Sequence, residues 1–421
     1  MWRIGRALLA LSCAVAVGLT ASDSHAQTFG IELHNNLMPA SGGMAGASLS
    51  RPQDLQSAIN GNPATLRQFQ GIQFSFGGAW ADADYRVNQT ADLLDSPPGL
   101  GVDAFNAVSG TPGALLGNIG VTQDLDALGL PVTLGLGLIS NAGAGVDFRR
   151  IPESNGTSAQ YLALDMIAAA GVDVSERLSL GASFALGTSF LDGPFVDLGG
   201  MTPAYGVRFN VGANYQLAPA TTLGAYWQSK KNFQFDDAAL LPGGAAIDMS
   251  FDHPMNVGFG IANSSLMDGR LLLAADAIYK VHSEADFLRA IYDDQWAFQF
   301  GAQYSVTDSM RFRLGYGYNE NPMKAAQLES VGRVDLPDGV PGVRYVQGQF
   351  AAITQHRITA GVGMRDVLPG IDFDLFGGFA FKETDQFADT IVTVSGNYWV
   401  GFGTAWRFGG RAAPSDMPAT P

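Results

Sequence analysis

The sequence predicts an all-β fold: a transmembrane antiparallel β-barrel of about 14 strands, with a short helical segment ahead of it. Three observations predict it. From Ile72 onward, apolar residues alternate with polar or small ones at a period of two. The alternating runs last about 10 to 18 residues, whereas strands of soluble proteins have about 5 to 6 and a tilted spanning strand needs about 9 to 11. Glycine is unusually common, at 53 of 421 residues, nearly twice the average share of about 7%. That suits strand walls with crowded or smooth faces better than the core of a soluble enzyme.

The elements follow in chain order. Residues 1–26 read as a secretory signal. Arg3 and Arg6 give the positive start, Ala7 to Leu19 the apolar stretch, and Ser24-His25-Ala26 a small-x-small cleavage site before Gln27. The stretch is too short, and wrongly flanked, for a spanning helix. Cys13 lies inside it, so lipoprotein cleavage there would split the apolar stretch. No cysteine follows Cys13, so the mature chain is expected to hold neither disulfides nor Cys-based metal sites.

Residues 27–70 do not alternate. "GASLSRPQDLQSAINGNPATLRQF" reads as short helical pieces. Asp54 to Ile59 forms a turn or two, Asn62-Pro63 interrupts it, and Pro63 suits the first position of a next piece over Ala64 to Phe69. Such a segment hangs in the periplasm as a leader or folds back into the lumen as a plug. Its Gly, Ala and Ser content suits tight packing in a barrel.

Residues 71–408 carry the strands, expected at 72–86, 115–125, 132–148, 158–175, 178–192, 202–218, 221–237, 246–265, 270–287, 294–308, 310–322, 354–369, 370–387 and 393–408. In "YGVRFNVGANYQL", Tyr205, Val207, Phe209 and Val211 share one face while Gly206, Arg208, Asn210 and Gly212 share the other. "WAFQFGAQYSV", "MRFRLGYGY" and "YWVGFGTAWRF" repeat the pattern, with aromatics near the run ends. Apolar residues are expected to face lipid and polar ones the lumen. Lipid offers no hydrogen-bond partners, so the sheet must close on itself. Short connectors such as "LAPAT" and "VTDSM" are expected on the periplasmic side, and the long ones, notably 87–114 and 323–353, outside. The tail 409–421 is Pro- and Ala-rich and expected to be disordered.

Composition and motifs exclude several functions. A net charge of −15 and a pI near 4.6 oppose nucleic-acid binding. No Gly-x-Ser-x-Gly, Gly-x-x-x-x-Gly-Lys or His-Glu-x-x-His occurs. Asp252-His253 and Asp293-Asp294 sit at expected strand ends or loops, and His34, His282 and His356 lack ligand spacing. No cofactor, metal or catalytic residue is expected, and the chain reads as a non-enzyme. Three readings stay open: a hydrophobic-compound transporter, a general diffusion porin for small polar solutes, and a surface adhesin or phage receptor.

Four stretches carry a resemblance to the FadL/TodX family of outer-membrane transporters for long-chain fatty acids and hydrocarbons. They are Asn62-Pro63-Ala64, "SNAGAGVDF" from Ser140 to Phe148, "RFRLGYGYNENP" from Arg311 to Pro322, and "QHRITAGVG" followed by the aromatic-rich strand ending at Phe408. The resemblance implies a fourteen-stranded barrel in the outer membrane of a Gram-negative bacterium. It implies that the N-terminal segment is a hatch, and that ligand leaves sideways where the third strand kinks. Asn62, Pro63 and Ala64 are then the hatch motif, holding it near the kink. Ser140, Asn141, Gly143 and Gly145 form the lateral opening, and Phe29 and Ile31 reach the ligand pocket. A ligand carboxylate would want a cation, and Arg208, Lys280, Arg311 and Arg313 lie on polar strand faces; lumen ion pairing is the alternative for each. The implied partners are a hydrophobic small molecule, outer-membrane lipid and the barrel-assembly machinery, with the chain a monomer. Two departures stand out. The connector "LDGPFVDLGGMTPAYG" is short for the loop that helps capture ligand, and a tail follows Phe408, which makes the terminal-strand assembly signal internal.

Overall fold

The computed structural model describes residues 28–93, 100–192, 201–240, 246–324 and 341–408. Side chains are described for these except 28–31, 239–240 and 246–247. The expected signal, the C-terminal tail and most of the short connector after the fifth strand lie outside the described residues.

Fourteen antiparallel strands close into a barrel. In chain order they are β1 Ile72–Gln89, β2 Ala114–Asp124, β3 Val132–Asp147, β4 Ser158–Ser175, β5 Leu178–Asp192, β6 Thr202–Ala218 and β7 Thr221–Gln228. The second half is β8 Met255–Leu266, β9 Leu271–Val281, β10 Gln295–Thr307, β11 Met310–Asn319, β12 His356–Leu368, β13 Ile371–Ala380 and β14 Thr390–Phe408. Each pairs with its neighbour, and β14 closes on β1 from Phe408↔Ile72 to Thr390↔Gln89. Short turns such as Glu176-Arg177 and Asp308-Ser309 gather at one end; every long connection is at the other.

The two-residue period produces the wall. On β6, Tyr205, Val207, Phe209 and Val211 are exposed at 69, 47, 55 and 50%, while Arg208 and Asn210 are buried. Toward the long-loop end the polarity inverts. On β1, outward Phe74, Phe76 and Trp80 give way to Asp84, Arg86 and Asn88. Inward Gln73, Ser75 and Gly77 give way to Ala83, Tyr85 and Val87. Above that level the barrel is built like a soluble protein, with an apolar inside.

Several expected boundaries change. The strands expected at 221–237 and 246–265 are wall strands only to Gln228 and from Met255. Between them, Lys231–Leu240 and Ala246–His253 form a hairpin that joins no other sheet. Pro254 has no N–H to give a ladder, and the hairpin's Phe233, Phe235 and Phe251 are fully buried. The strand expected at 270–287 ends at Val281 in a 3-10 turn and a one-turn helix, Leu288–Ile291. The strand expected at 370–387 breaks after Ala380, and Glu383–Phe387 pairs separately with β14. The expected loops 87–114 and 323–353 contain a short strand, Phe105–Val108, and a helix, Pro341–Gln349.

The N-terminal segment opens with a strand, Thr28–Glu32, where only helical pieces were expected. It continues through the helix Leu55–Asn60 and the 3-10 turn Pro63–Gln68. Leu37, Met38, Met44, Leu49, Leu55, Ile59 and Leu66 are all buried. Asp54 holds its turns, accepting the backbone N–H groups of Ser57 at 2.8 Å, Ala40 at 3.0 Å and Ser41 at 2.7 Å. Asp276 on β9 accepts those of Ser48 at 2.6 Å and Leu49 at 2.9 Å. The wall glycines make room for it: a Cβ on Gly171 would lie 2.7 Å from the carbonyl oxygen of Pro63.

Candidate functional site

The β2–β3 ladder runs from Asp124↔Thr133 to Asn118↔Ile139 and stops. Both strands continue, but apart. β2 stays paired to β1 as far as Ala114↔Ala81, and β3 stays paired to β4 as far as Asp147↔Ser158. The last link between them is Ser140, whose hydroxyl donates to the carbonyl of Gly117 at 3.0 Å and whose N–H donates to Asn118 Oδ1 at 3.1 Å. At the far end, the N–H of Gly110 donates to the carbonyl of Asp147 at 2.6 Å. The wall ladder is therefore interrupted between two fixed points.

The interruption starts at a β-bulge. The β3–β4 register shifts between Ser140 and Ala142, leaving Asn141 as the extra residue. Its side chain turns inward and donates to Asp165 Oδ2 at 2.5 Å. Its carbonyl accepts the N–H of Leu33 at 2.9 Å. Beyond it, the free edge of β3 pairs with the N-terminal strand in the register Glu32↔Ala142 and Thr28↔Ala144.

Buried polar groups tie these pieces together. Glu32 accepts from Arg208 Nη1 at 2.6 Å, Asn256 Nδ2 at 2.7 Å and His253 Nδ1 at 3.2 Å. His253 Nε2 meets the Tyr161 hydroxyl at 2.5 Å. Lys231 Nζ donates to Asp165 Oδ2 at 2.6 Å. Burial pushes the Glu32 carboxyl up, but Arg208 and then His253 more than offset it, so it lies well below the usual carboxylate range. Burial, then the Lys280 and Arg208 charges, hold His34 down to about 3 despite Glu32. A small polar cavity lies beside His34, Asn141, Gln228 and Gln299.

An apolar cluster faces the interruption from inside. It joins Ala142 and Val146 of β3 and Tyr161 of β4 to Phe105, to Phe233 and Phe251 of the hairpin, and to Phe287, Tyr345 and Phe350 of the long connections. Phe251 stacks on Tyr161 at 4.5 Å and on Phe287 at 5.2 Å between ring centres.

The singled-out residues fall into three groups. Ser140, Asn141, Gly143 and Gly145 lie on β3 at and beyond the bulge, and Arg208 reaches the same place through Glu32. Asn62, Pro63 and Ala64 lie elsewhere than beside the kink. Asn62 donates to the carbonyls of Leu49 at 2.8 Å and Ala213 on β6 at 2.9 Å, and its Oδ1 accepts from the N–H of Ala64 at 3.2 Å. Pro63 meets Gly171, which pairs with Thr133, whereas the bulge begins at Ser140↔Leu164. The motif thus fixes the segment to β4–β6 toward the short-turn end.

The other cations are spread out. Arg313 is paired with Asp374 at 2.5 Å and donates to Gln303 at 2.7 Å. It packs by the Ser41–Met44 turn, with Arg311 two residues before it on β11. Lys280 is buried, and among the described residues its side chain makes no hydrogen bond or ion pair. The side chains of Phe29 and Ile31 lie outside those described.

Sequence reasoning does not single out Glu32, Asp165, Lys231 or Tyr161, and it sets His253 aside as a strand-end residue. A lone acid in the apolar stretch "FGIELHN" was the one available signal for Glu32.

The fold defines the class: a transmembrane β-barrel with its N-terminal segment packed inside and a break in the β2–β3 ladder of its wall. Solved structures share this fold. The P. putida toluene transporter TodX is 17% identical, covers 91% of this chain and 100% of its own, and superposes with a TM-score of 0.62. A Pseudomonas aeruginosa FadL homologue is 16% identical, with 92% and 100% coverage and a TM-score of 0.63. The monoaromatic hydrocarbon channel CymD is 16% identical, with the same coverages and a TM-score of 0.57. No family model and no curated protein matches the chain.

Proposed function

We propose that this chain is a FadL/TodX-type transporter in the outer membrane of a Gram-negative bacterium. It takes up a hydrophobic small molecule, a long-chain fatty acid or a hydrocarbon, and releases it sideways into the membrane between β2 and β3. The long connections face outward and the short turns face the periplasm. The observation that carries the reading is the apolar cluster that runs without a break from the long connections to the interrupted β2–β3 ladder. A route that ends in lipid suits an apolar cargo, since moving apolar area out of water is worth about 25 cal/mol per Å². The N-terminal segment acts as a hatch, its buried length closing the lumen below the cluster to water and ions. The fold shared with TodX, CymD and the FadL homologue supports the same reading.

The test is uptake by cells that lack their own hydrophobic-compound transporter and express this chain. A long-chain fatty acid, an aromatic hydrocarbon and a small sugar are compared. Uptake of a hydrophobic compound without sugar flux is expected; sugar flux alone would leave a diffusion porin.

A further inference from the structure

We infer that the hairpin of Lys231–Leu240 and Ala246–His253 is a latch on the wall break, with Lys231 and His253 as its positioning residues. The inference rests on the transport reading above and adds a moving part to it.

The hairpin is not part of the wall, since its two strands pair only with each other. Its base carries two polar side chains on residues that are direct partners in the ladder, Lys231 and His253. Both hold groups on the β3 side of the break. Lys231 pairs with Asp165 at 2.6 Å, and the same carboxylate oxygen receives the Asn141 amide at 2.5 Å. Lys231 thus fixes the acceptor that orients the bulge residue. His253 Nδ1 contacts Glu32 at 3.2 Å, and Glu32 is the residue of the N-terminal strand registered on Ala142. His253 thus holds the strand that covers the free edge of β3.

The far part of the hairpin carries Phe233, Phe235 and Phe251, all fully buried in the apolar cluster. Lys231 is seated equally closely, because a Cβ on Gly187 or on Gly206 would lie 3.0 Å from its side chain. Packed cores respond to an inserted molecule by rearranging discretely rather than by stretching. A hydrophobic molecule that enters the cluster must move these rings, and the hairpin has no wall ladder to break. When the hairpin moves, Lys231 leaves the one carboxylate it contacts among the described residues. A buried pair that parts leaves both charges uncompensated, so the pair holds the hairpin in place until an inserted molecule displaces the rings. Asn141 then loses the cation that fixes its acceptor, and Glu32 loses one of its three donors; this loosens the strand on the free edge of β3, and cargo arriving from the loops is coupled to opening of the β2–β3 break.

The experiment uses the full chain in detergent with Cys13→Ser, which removes its one native cysteine. A Thr28→Cys/Ala144→Cys pair is added. These residues are partners in an antiparallel pairing, where Cα atoms about 4.5 to 5.5 Å apart suit a disulfide. The oxidation rate is measured with and without toluene and oleate, and binding of both probes is measured on the same samples. In the parent, a bound probe slows cross-linking several-fold. Asp165→Asn/Lys231→Met removes the ion pair without leaving a lone charge, and it gives the slow rate without probe and no further response. Lys231→Arg restores the response. If the double variant fails to show the heat-modifiable gel mobility of a folded barrel, His253→Gln takes its place with the same expectation. Cross-linking at the parent rate, with the parent's response to probe, overturns the latch and leaves the transport reading intact. A parent that binds neither probe overturns both.

Discussion

The backbone N–H of Leu33 donates to the carbonyl of Asn141 at 2.9 Å. One bond joins the N-terminal segment to the residue at which the third wall strand leaves its neighbour. The next pairings, Glu32↔Ala142 and Thr28↔Ala144, extend the contact along the free edge. Exposed sheet edges are seldom left bare, and here the chain's own N-terminus covers one. The Leu33 amide is expected to exchange with solvent deuterium faster when hydrophobic ligand is bound, while the Ile139 amide in the intact β2–β3 ladder stays protected. Equal protection with and without ligand would show that the strand does not leave.

Acid is expected to release the same strand. Glu32 has a depressed pKa in place, so its contribution is present above the ordinary carboxylate value of 4.5 and is lost as pH falls through the lower bound value. His34 is held neutral, with its pKa lowered from 6.5 to about 3, so it contributes nothing above 6.5 and increasingly favours release as pH falls from 6.5 toward 3. Both effects have one sign, and the groups that face them are Arg208, His253, Lys280 and Arg357. Cross-linking of a Thr28→Cys/Ala144→Cys pair should slow as pH falls from 6.5 toward 3, after correction for thiolate fraction. A rate that rises in acid would reverse the assignment of Glu32.

The Asn62 side chain makes three hydrogen bonds while fully buried. Asn62→Ala strands the Leu49 and Ala213 carbonyls and should cost roughly 1 to 3 kcal/mol in the stability of the segment. In planar bilayers the variant should conduct ions measurably where the parent barely does. Gly171→Leu should raise conductance in the same way, because the Pro63 carbonyl is backbone and must give way. Unchanged conductance in both would mean that the segment is not what closes the lumen.

Phe251 touches rings from three directions: Tyr161, Phe287 and Phe350. Phe251→Ala removes packing of the order of 3 to 5 kcal/mol. It is expected to loosen the cap over the apolar cluster and to weaken binding of a hydrophobic probe at least tenfold, measured by equilibrium dialysis of the purified barrel. Wild-type affinity in this variant would place the ligand elsewhere.

The wall was legible because lipid on one side and a packed lumen on the other enforce a strict two-residue alternation, as from Tyr205 to Val211. The hairpin was not, because Lys231, Phe233 and Phe235 alternate with Asn232, Gln234 and Asp236 just as a wall strand would. Which face of such a strand meets lipid and which meets an interior is not written in its period. The polarity inversion on β1 hides for the same reason. The break itself came through resemblance, which drew attention to Ser140, Asn141, Gly143 and Gly145 without choosing among them. The structure puts the irregularity at Asn141, an amide that needs a buried acceptor, and its partner Asp165 is 24 residues away. Lys231 lies 66 residues from Asp165, and no local pattern reports such a pair. The cations were chosen by face alone, so Arg208 at the break could not be told from Arg313 beside Asp374.

Deleting Asn141 tests the central claim most directly. The deletion removes the extra residue and lets Ser140 and Ala142 continue in register with Leu164 and Ala163 of β4, as their present partners already do. It should let β3 resume its pairing with β2 toward Ala114. The measurement is uptake of labelled oleate and toluene by cells carrying the parent or the deletion at equal surface amounts. The account predicts a folded, heat-modifiable barrel that binds the probes normally and has lost at least nine-tenths of the parent's uptake. Parental uptake through a folded deletion variant would contradict release through the wall and direct the search to an axial path.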